Sequence, residues 1–421
     1  MKDTLPQELI DYIIQLLQND KRSLSACSLV HSSWTSASRR MLFQNLHLKT
    51  KSMEWTTQDV SDLVNSTPLT KYADFVLSIT LTGSQCYEVD FHGHEYTHLP
   101  YSVISSVLKN FENLRSLNLC YVTLEMDLGT CVQHTPASAS LHKLTFSSHV
   151  ALMECTLVAF LDSFKSFPHL NTLRINSLEW DSYYEPPFDR CGILPELHTV
   201  CLELSDAEES VAALNLLLSI IGHVYIRTLI INALTSSSQG RVVEMLGKIG
   251  PSLHSLRIEP LPCYSANLYF SIGSLTNLKN AEIVLHLGLH WQPRDETGGS
   301  CQLSSMWHDV LLILSQLAST VETVSFILRN DINCSQDTFR IAAAQVPWNV
   351  LCDYLNRLPD LGEFNIVFLE EVRQNDAERF DEDRFMEVLI PRNPWKGEYF
   401  RQKLATFHES GRLVIGYKET R

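Results

Sequence analysis

The chain repeats itself, and that constrains its fold more than any other feature. "NLRSLNL" at 113–119, "HLNTLRI" at 169–175, "ELHTVCL" at 196–202 and "SLHSLRI" at 252–258 are variants of one pattern, apolar-x-x-apolar-x-apolar. Aligning the first apolar residue gives Leu114, Leu141, Leu170, Leu197, Ile226, Leu253 and Leu278, in steps of 27, 29, 27, 29, 27 and 25 residues. Looser copies begin at Val321 and Leu361, after 43 and 40 residues, and "VLSITL" at 76–81 is an earlier candidate. Self-similarity at a period of about 20–50 residues marks an array in which each copy stacks on its neighbours. Amphipathic helix candidates fall between the copies, at 103–111, 152–164, 207–221, 241–249, 305–317 and 348–358. Each copy predicts strand, turn and helix, with parallel strands lining a concave face and helices a convex one. The expected fold class is α/β. An array also accommodates 421 residues, more than one hydrophobic core usually supports.

The N-terminal stretch "LPQELIDYIIQLLQNDKRSLSACSLVHSSW", residues 5–34, lies outside this period. Thr4 and Gln7 have capping-box spacing, and Pro6 suits a first helical turn. Leu9, Ile10, Ile13, Ile14 and Leu17 then recur at helical spacing, opposite Glu8, Asp11, Tyr12, Gln15 and Gln18. After a polar break at 19–22, Ser23 is placed to cap a second helix carrying Leu24, Cys27 and Val30. A third helix is predicted to contain Trp34, Ala37, Met41 and Phe43. Three helices in so few residues bury too little surface to be robust alone, so the apolar stripe predicts a partner surface.

The ordered set Leu5, Pro6, Glu8, Leu9, Ile13, Leu17, Asp20, Leu24, Cys27, Val30 and Trp34 resembles an F-box. The array resembles the irregular leucine-rich repeats found in F-box proteins. It departs from the regular pattern at Val122, Leu178, Leu234 and Leu261, where an asparagine is usual. The resemblance implies an F-box-like adaptor-binding domain at 1–46, a helical connector at 47–75, and a leucine-rich-repeat-like array with a C-terminal cap at 76–421. It implies a non-catalytic substrate-recognition subunit of an SCF-type (cullin–RING) E3 ubiquitin ligase. Leu5, Pro6, Leu9, Ile13, Leu24, Cys27, Val30 and Trp34 would contact the Skp-type adaptor, and through it the cullin, while the array holds a target protein. The alternatives are a leucine-rich interaction module outside any ubiquitin ligase, and an enzyme whose site is assembled from residues distant in sequence.

The residues between the strand leucines face one surface of such an array. Asn118, Arg174, Glu203, Arg257, Glu259 and Glu282 are therefore the candidate target contacts. A formal net charge of −15 argues against a nucleic-acid partner, because phosphate binding needs Lys and Arg. Eleven cysteines without a C-x-x-C pair read as reduced thiols in a cytoplasmic or nuclear protein. No signal-peptide pattern opens the chain, and polar residues break the most apolar stretch, 212–234, so no membrane span is expected. No G-x-S-x-G, H-E-x-x-H, Walker loop or G-x-G-x-x-G occurs, so no catalytic residue and no cofactor are expected. "DFHGHEYTH" at 90–98 gathers metal-capable side chains but matches no metal-site spacing, and no metal is expected. The aromatic loop from Trp180, the polar loop from Trp291 and the acidic run from Glu370 are further candidate surfaces.

Overall fold

The structure, a computed structural model, describes residues 5–18, 20–50, 54–65, 72–83, 97–125, 140–152, 167, 169–176, 178–180, 197–203, 225–234, 239–260, 272, 274–287, 307, 310–330, 346–371 and 394–420. Among these residues every strand pairing is parallel. The chain divides into two compact units, 1–200 with 208–224, and 201–207 with 225–421. The first 46 residues fall in the first of these units.

The first unit opens with three helices, α1 (Gln7–Leu16), α2 (Lys21–Val30) and α3 (Ser32–Phe43). Strand β1 (Asn45–Lys49) comes at once and pairs with β2 (Ser78–Thr82). The stretch expected as a helical connector at 47–75 thus begins inside the sheet. It continues with α4 (Thr57–Asn65) and a short 3-10 turn at Ala73–Phe75. Next come β3 (Thr97–Pro100), α5 (Tyr101–Asn110), β4 (Ser116–Glu125), β5 (Lys143–Leu152), β6 (Thr172–Ile175) and β7 (Leu178–Trp180). The strand order is β1-β2-β4-β5-β6, with β3 beside the second half of β4 and β7 beside the end of β5. The division between units falls within β8 (Thr199–Glu203).

The second unit runs β9 (Thr228–Leu234), α6 (Gln239–Ile249), β10 (Ser255–Pro260), β11 (Asn280–Leu287), β12 (Thr323–Asn330), α7 (Trp348–Asn356) and β13 (Glu363–Glu371). Helices α8 (Pro394–Lys403) and α9 (Ala405–Glu409) lead into β14 (Leu413–Thr420). Strands β9 to β14 pair in sequence order. A helical segment at 310–315 lies inside the helix expected over 305–317, whereas the helices expected at 152–164 and 207–221 lie outside the described residues. At the C-terminal end Phe400, Leu404 and Phe407 are buried, and Phe364 stacks edge-on to Phe326 while also meeting Phe407.

The repeat spacing has a structural cause. Leu114, Leu141, Leu170, Leu197, Ile226, Leu253, Leu278 and Val321 are all buried, and after each of them except Leu197 the carbonyl one residue later accepts two N–H groups from the next copy. Arg115 O takes the N–H groups of His142 and Lys143, His142 O those of Asn171 and Thr172, and His254 O those of Lys279 and Asn280. The residue just before the first apolar position supplies a second tie. Asn113 donates to Asp74 O, Ser140 to Leu114 O, Ser252 to Ile226 O, Asn277 to Pro251 O and Thr320 to Leu278 O, at 2.6 to 3.0 Å. The array that lacks the usual asparagine after its strands satisfies backbone carbonyls with Asn, Ser and Thr before them.

Strand β4 bends at Tyr121, which takes the left-handed φ of 54° and shifts the register between Cys120 and Val122. This bulge re-aims the strand from β2 to β3. Gly83 sits against it, its N–H donating to Cys120 O at 2.9 Å. A Cβ on Gly83 would lie 2.0 Å from Tyr121 O and 2.7 Å from Thr97 Cβ. Gly83→Ala is therefore expected to destabilise the first unit by about 1–3 kcal/mol in urea unfolding. Gly247→Ala, in α6 with open space around it, is expected to gain about 0.5–1 kcal/mol. Equal stability of Gly83→Ala and wild type would refute the close approach.

Candidate interaction site

The three N-terminal helices build a small core of their own. Ile10, Ile14 and Leu24 are buried, with Leu17, Cys27, Trp34, Ala37, Met41 and Leu42 packed around them. At 3.6 residues per turn, Ile10, Ile14 and Leu17 share one side of α1, while Leu9, Tyr12 and Leu16 fall within about 60° of one another on another side. The apolar stripe expected as one face is thus two. Ile10 and Ile14 turn inward, and Leu9 stands outward with Leu16 and with Tyr12, which the sequence placed on the polar face.

That outward side is open. Leu5, Leu9, Tyr12 and Leu16 are 50%, 49%, 60% and 67% exposed, and Leu29 and Val30 at the end of α2 are 82% and 70% exposed. Of the nine exposed large hydrophobic residues among those described, these six lie between Leu5 and Val30. Burying an exposed Leu or Val in a partner is favourable by about 1.5–3 kcal/mol before association costs.

The structure distributes the eight expected contact residues unevenly. Leu5, Pro6, Leu9 and Val30 are exposed, and Ile13 is half-buried beside them. Cys27 and Trp34 are half-buried and pack on the internal core. Leu24 corrects the expectation: it is fully buried against Ile10 and Ile14, because its place on α2 faces α1. Tyr12, Leu16 and Leu29 were not among the expected contacts. The spacing of Leu5, Leu9, Tyr12 and Leu16, four, three and four residues apart, is the signal that would have found them.

Side-chain caps fix the starts of α2 and α3. Pro6 precedes α1 without a side-chain hydrogen bond, and Thr4 lies outside the described residues. Asp20, not Ser23, caps α2, accepting the Ser23 N–H at 2.9 Å and the Ser23 hydroxyl at 2.5 Å. His31 Nδ1 accepts the Ser33 N–H at 3.2 Å at the start of α3. The Ser23 hydroxyl, then the Ser23 N–H, hold the Asp20 carboxyl below its ordinary value of 3.8, with Arg22 contributing less. A depressed folded value means the cap stabilises α2 fully above pH 3.8 and is lost as pH falls through that lower value. The helicity difference between wild type and Asp20→Asn in circular dichroism is expected to vanish over that acid range. A difference that persisted below it would rule out the charged cap.

The helices are tied to the strands behind them. The Phe43 and Tyr72 rings stack at 4.7 Å and 7°, Arg39 Nη1 donates to Tyr72 Oη at 2.5 Å, and the Leu77 and Ser78 N–H groups donate to Gln44 O. With β1 in the sheet, the apolar helix side is held in fixed relation to the first unit's strands.

The six candidate target contacts are divided between the two units. Asn118 on β4 and Arg174 on β6 are half-buried on the same strand face of the first unit. Arg257 and Glu282 are register partners in the second. Glu259 corrects the expectation, being 4% exposed and so withdrawn from a partner, and the Glu203 side chain lies outside the described residues. Val284 and Ile327 are buried on the Glu282 face, with Val367 against them, so that face is partly apolar. His98 Nδ1 meets Glu125 Oε1 at 2.6 Å, while Asp90, His92, His94 and Glu95 lie outside the described residues. Among the described residues no group of three metal-capable side chains converges and no helix is long and apolar enough to cross a membrane. The loop after Trp180, the loop from Trp291 and nearly all of the acidic run from Glu370 lie outside the described residues. No known protein-family model matches the chain, and no curated protein matches it.

Proposed function

We propose that the chain is a non-catalytic recognition subunit of an SCF-type ubiquitin ligase. The open side of α1 and the end of α2 dock the Skp-type adaptor, and the strand face holds the target. One observation carries this reading: most of the exposed large hydrophobic residues described are gathered at Leu5, Leu9, Tyr12, Leu16, Leu29 and Val30, on helices whose own core is already closed. Large apolar side chains left exposed and concentrated in one short segment are what a protein partner would cover. The docking set in this reading is Leu5, Pro6, Leu9, Tyr12, Ile13, Leu16, Leu29 and Val30. Leu24, Cys27 and Trp34 support it from within.

The tie through Tyr72 and β1 gives such a receptor what it needs. A target held at a fixed distance from the adaptor presents its lysines at high effective concentration to the charged conjugating enzyme. The chain supplies proximity and no bond chemistry. Its Cys352 thiol, pushed up by burial and then by Asp353, stays protonated and poorly nucleophilic. The test is co-elution of the purified chain with a purified Skp-type adaptor in gel filtration. A single peak containing both supports the proposal, and two separate peaks at micromolar concentrations overturn it.

A further inference from the structure

The strand face of the first unit has an unusual charge pattern. The register aligns Asn45 to Lys49, Ser78 to Thr82, Ser116 to Cys120 and Lys143 to Ser147, and β6 continues the rows from Thr172. The outward, alternate residues of these stretches carry hydroxyls, amides and one thiol. They carry Lys49, Lys143, Arg174 and the imidazole of His47, and not one Asp or Glu. In a chain with 48 acidic and 33 basic residues, these five described stretches carry no carboxylate, and Glu125, farther along β4, is paired with His98 at 2.6 Å. The corresponding positions of the second unit include Glu259, Glu282 and Glu363.

The side chains are arranged to donate. Arg174 Nε donates to Asn176 Oδ1 at 2.7 Å, a bond that does not use its terminal amino groups. The Ser147 hydroxyl donates to Asn118 Oδ1, which leaves the Asn118 amide N–H groups for another acceptor. A cavity of about 500 Å³ opens over the same strands, lined by Lys21 of α2 and by His47, Thr80, Asn118 and Ser147. With strands about 4.8 Å apart, the cations are spread over a face roughly 20 Å wide. That spread does not converge on a single phosphate. It matches carboxylates spaced along an extended chain, and charge complementarity of this kind selects partners and speeds encounter.

We propose that this face takes an extended Asp/Glu-rich segment of the target protein. The proposal rests on the reading that the strand face holds the target, and it deepens that reading by naming the class. It is tested on the full chain without adaptor, so a failure to bind the adaptor leaves the result untouched. The probe is a fluorescein-labelled octaglutamate peptide, monitored by anisotropy at about 0.1 M salt, with octaglutamine as its neutral match. Wild type is expected to bind octaglutamate and not octaglutamine. Lys143→Glu/Arg174→Glu and, separately, Lys21→Glu/Lys49→Glu are each expected to weaken binding about tenfold or more. The second pair replaces exposed lysines and guards against misfolding in the first. Lys248→Glu/Arg401→Glu changes the net charge equally on α6 and α8, and its affinity is expected to stay within about twofold of wild type. Equal binding of the two peptides, or no effect of either charge reversal, overturns the proposal. So does tighter binding of an octaglutamine peptide carrying one phosphoserine, which would assign the face to a phosphate.

Discussion

A chain carrying Leu9→Asp and Leu16→Asp is expected to recover no Skp-type adaptor in affinity capture under conditions where wild type recovers it fully. Both side chains are about half exposed or more and lie outside the helical core, so the substitutions leave Ile10, Ile14 and Leu24 in place. Each leucine buried in a partner is worth about 1.5–3 kcal/mol. Losing two, and asking the adaptor to desolvate two carboxylates instead, weakens binding on the order of a hundredfold or more. Trp34→Ala would be a poorer probe, because Trp34 packs on the internal core and its loss mixes folding with docking. Val350→Asp supplies the control: it alters an exposed apolar residue on α7 of the second unit, and capture is expected to be unchanged. Equal adaptor recovery by wild type and the double variant would sink the docking surface.

The second large effect is expected inside the same helices. Leu24→Ala removes one of the three buried residues at the centre of their core, at a cost of about 2–5 kcal/mol. A core so small has little to spare, so the α1–α3 amides are expected to lose hydrogen-exchange protection while the strands of the array keep theirs. Adaptor capture should fall as well, through loss of the folded surface. Leu29→Ala separates the two roles, since Leu29 is 82% exposed. It is expected to keep full protection of α1–α3 and still weaken capture. If Leu24→Ala left protection intact, Leu24 would not be the core residue its burial makes it.

Much of the architecture was legible in the chain itself. The recurring first apolar residue, from Leu114 to Leu278, marked each buried column because only a parallel strand repeated at that interval keeps one residue type under the next. The helices at 101–110, 239–249 and 348–356 fell where their amphipathic spacing put them. Strand β1 was missed, because "NLHLK" has no apolar run and becomes a strand only by pairing with β2. The Asn, Ser and Thr ties before each strand were also missed. Their meaning depends on a carbonyl some two dozen or more residues earlier, which only stacking brings near.

The candidate site was half legible. Periodicity established that residues 5–34 hold more apolar surface than a short helical segment needs, and it placed that surface on helices. It did not say which leucines the segment keeps for itself. A stripe at helical spacing is a property of one helix, whereas inside and outside are properties of how helices pack. α2 and α3 close over Ile10 and Ile14 and take Leu24 inward, and what they leave uncovered is Leu5, Leu9, Tyr12 and Leu16. The same holds for the strand face. Alternation along a strand assigned Asn118, Arg174 and Glu259 to one side of a sheet, but only the registered neighbours brought stretches without a carboxylate side by side and withdrew Glu259 from solvent. Local spacing along the chain determined the elements and their faces. Burial, which sums contacts from residues far apart in sequence, was decided by the tertiary structure.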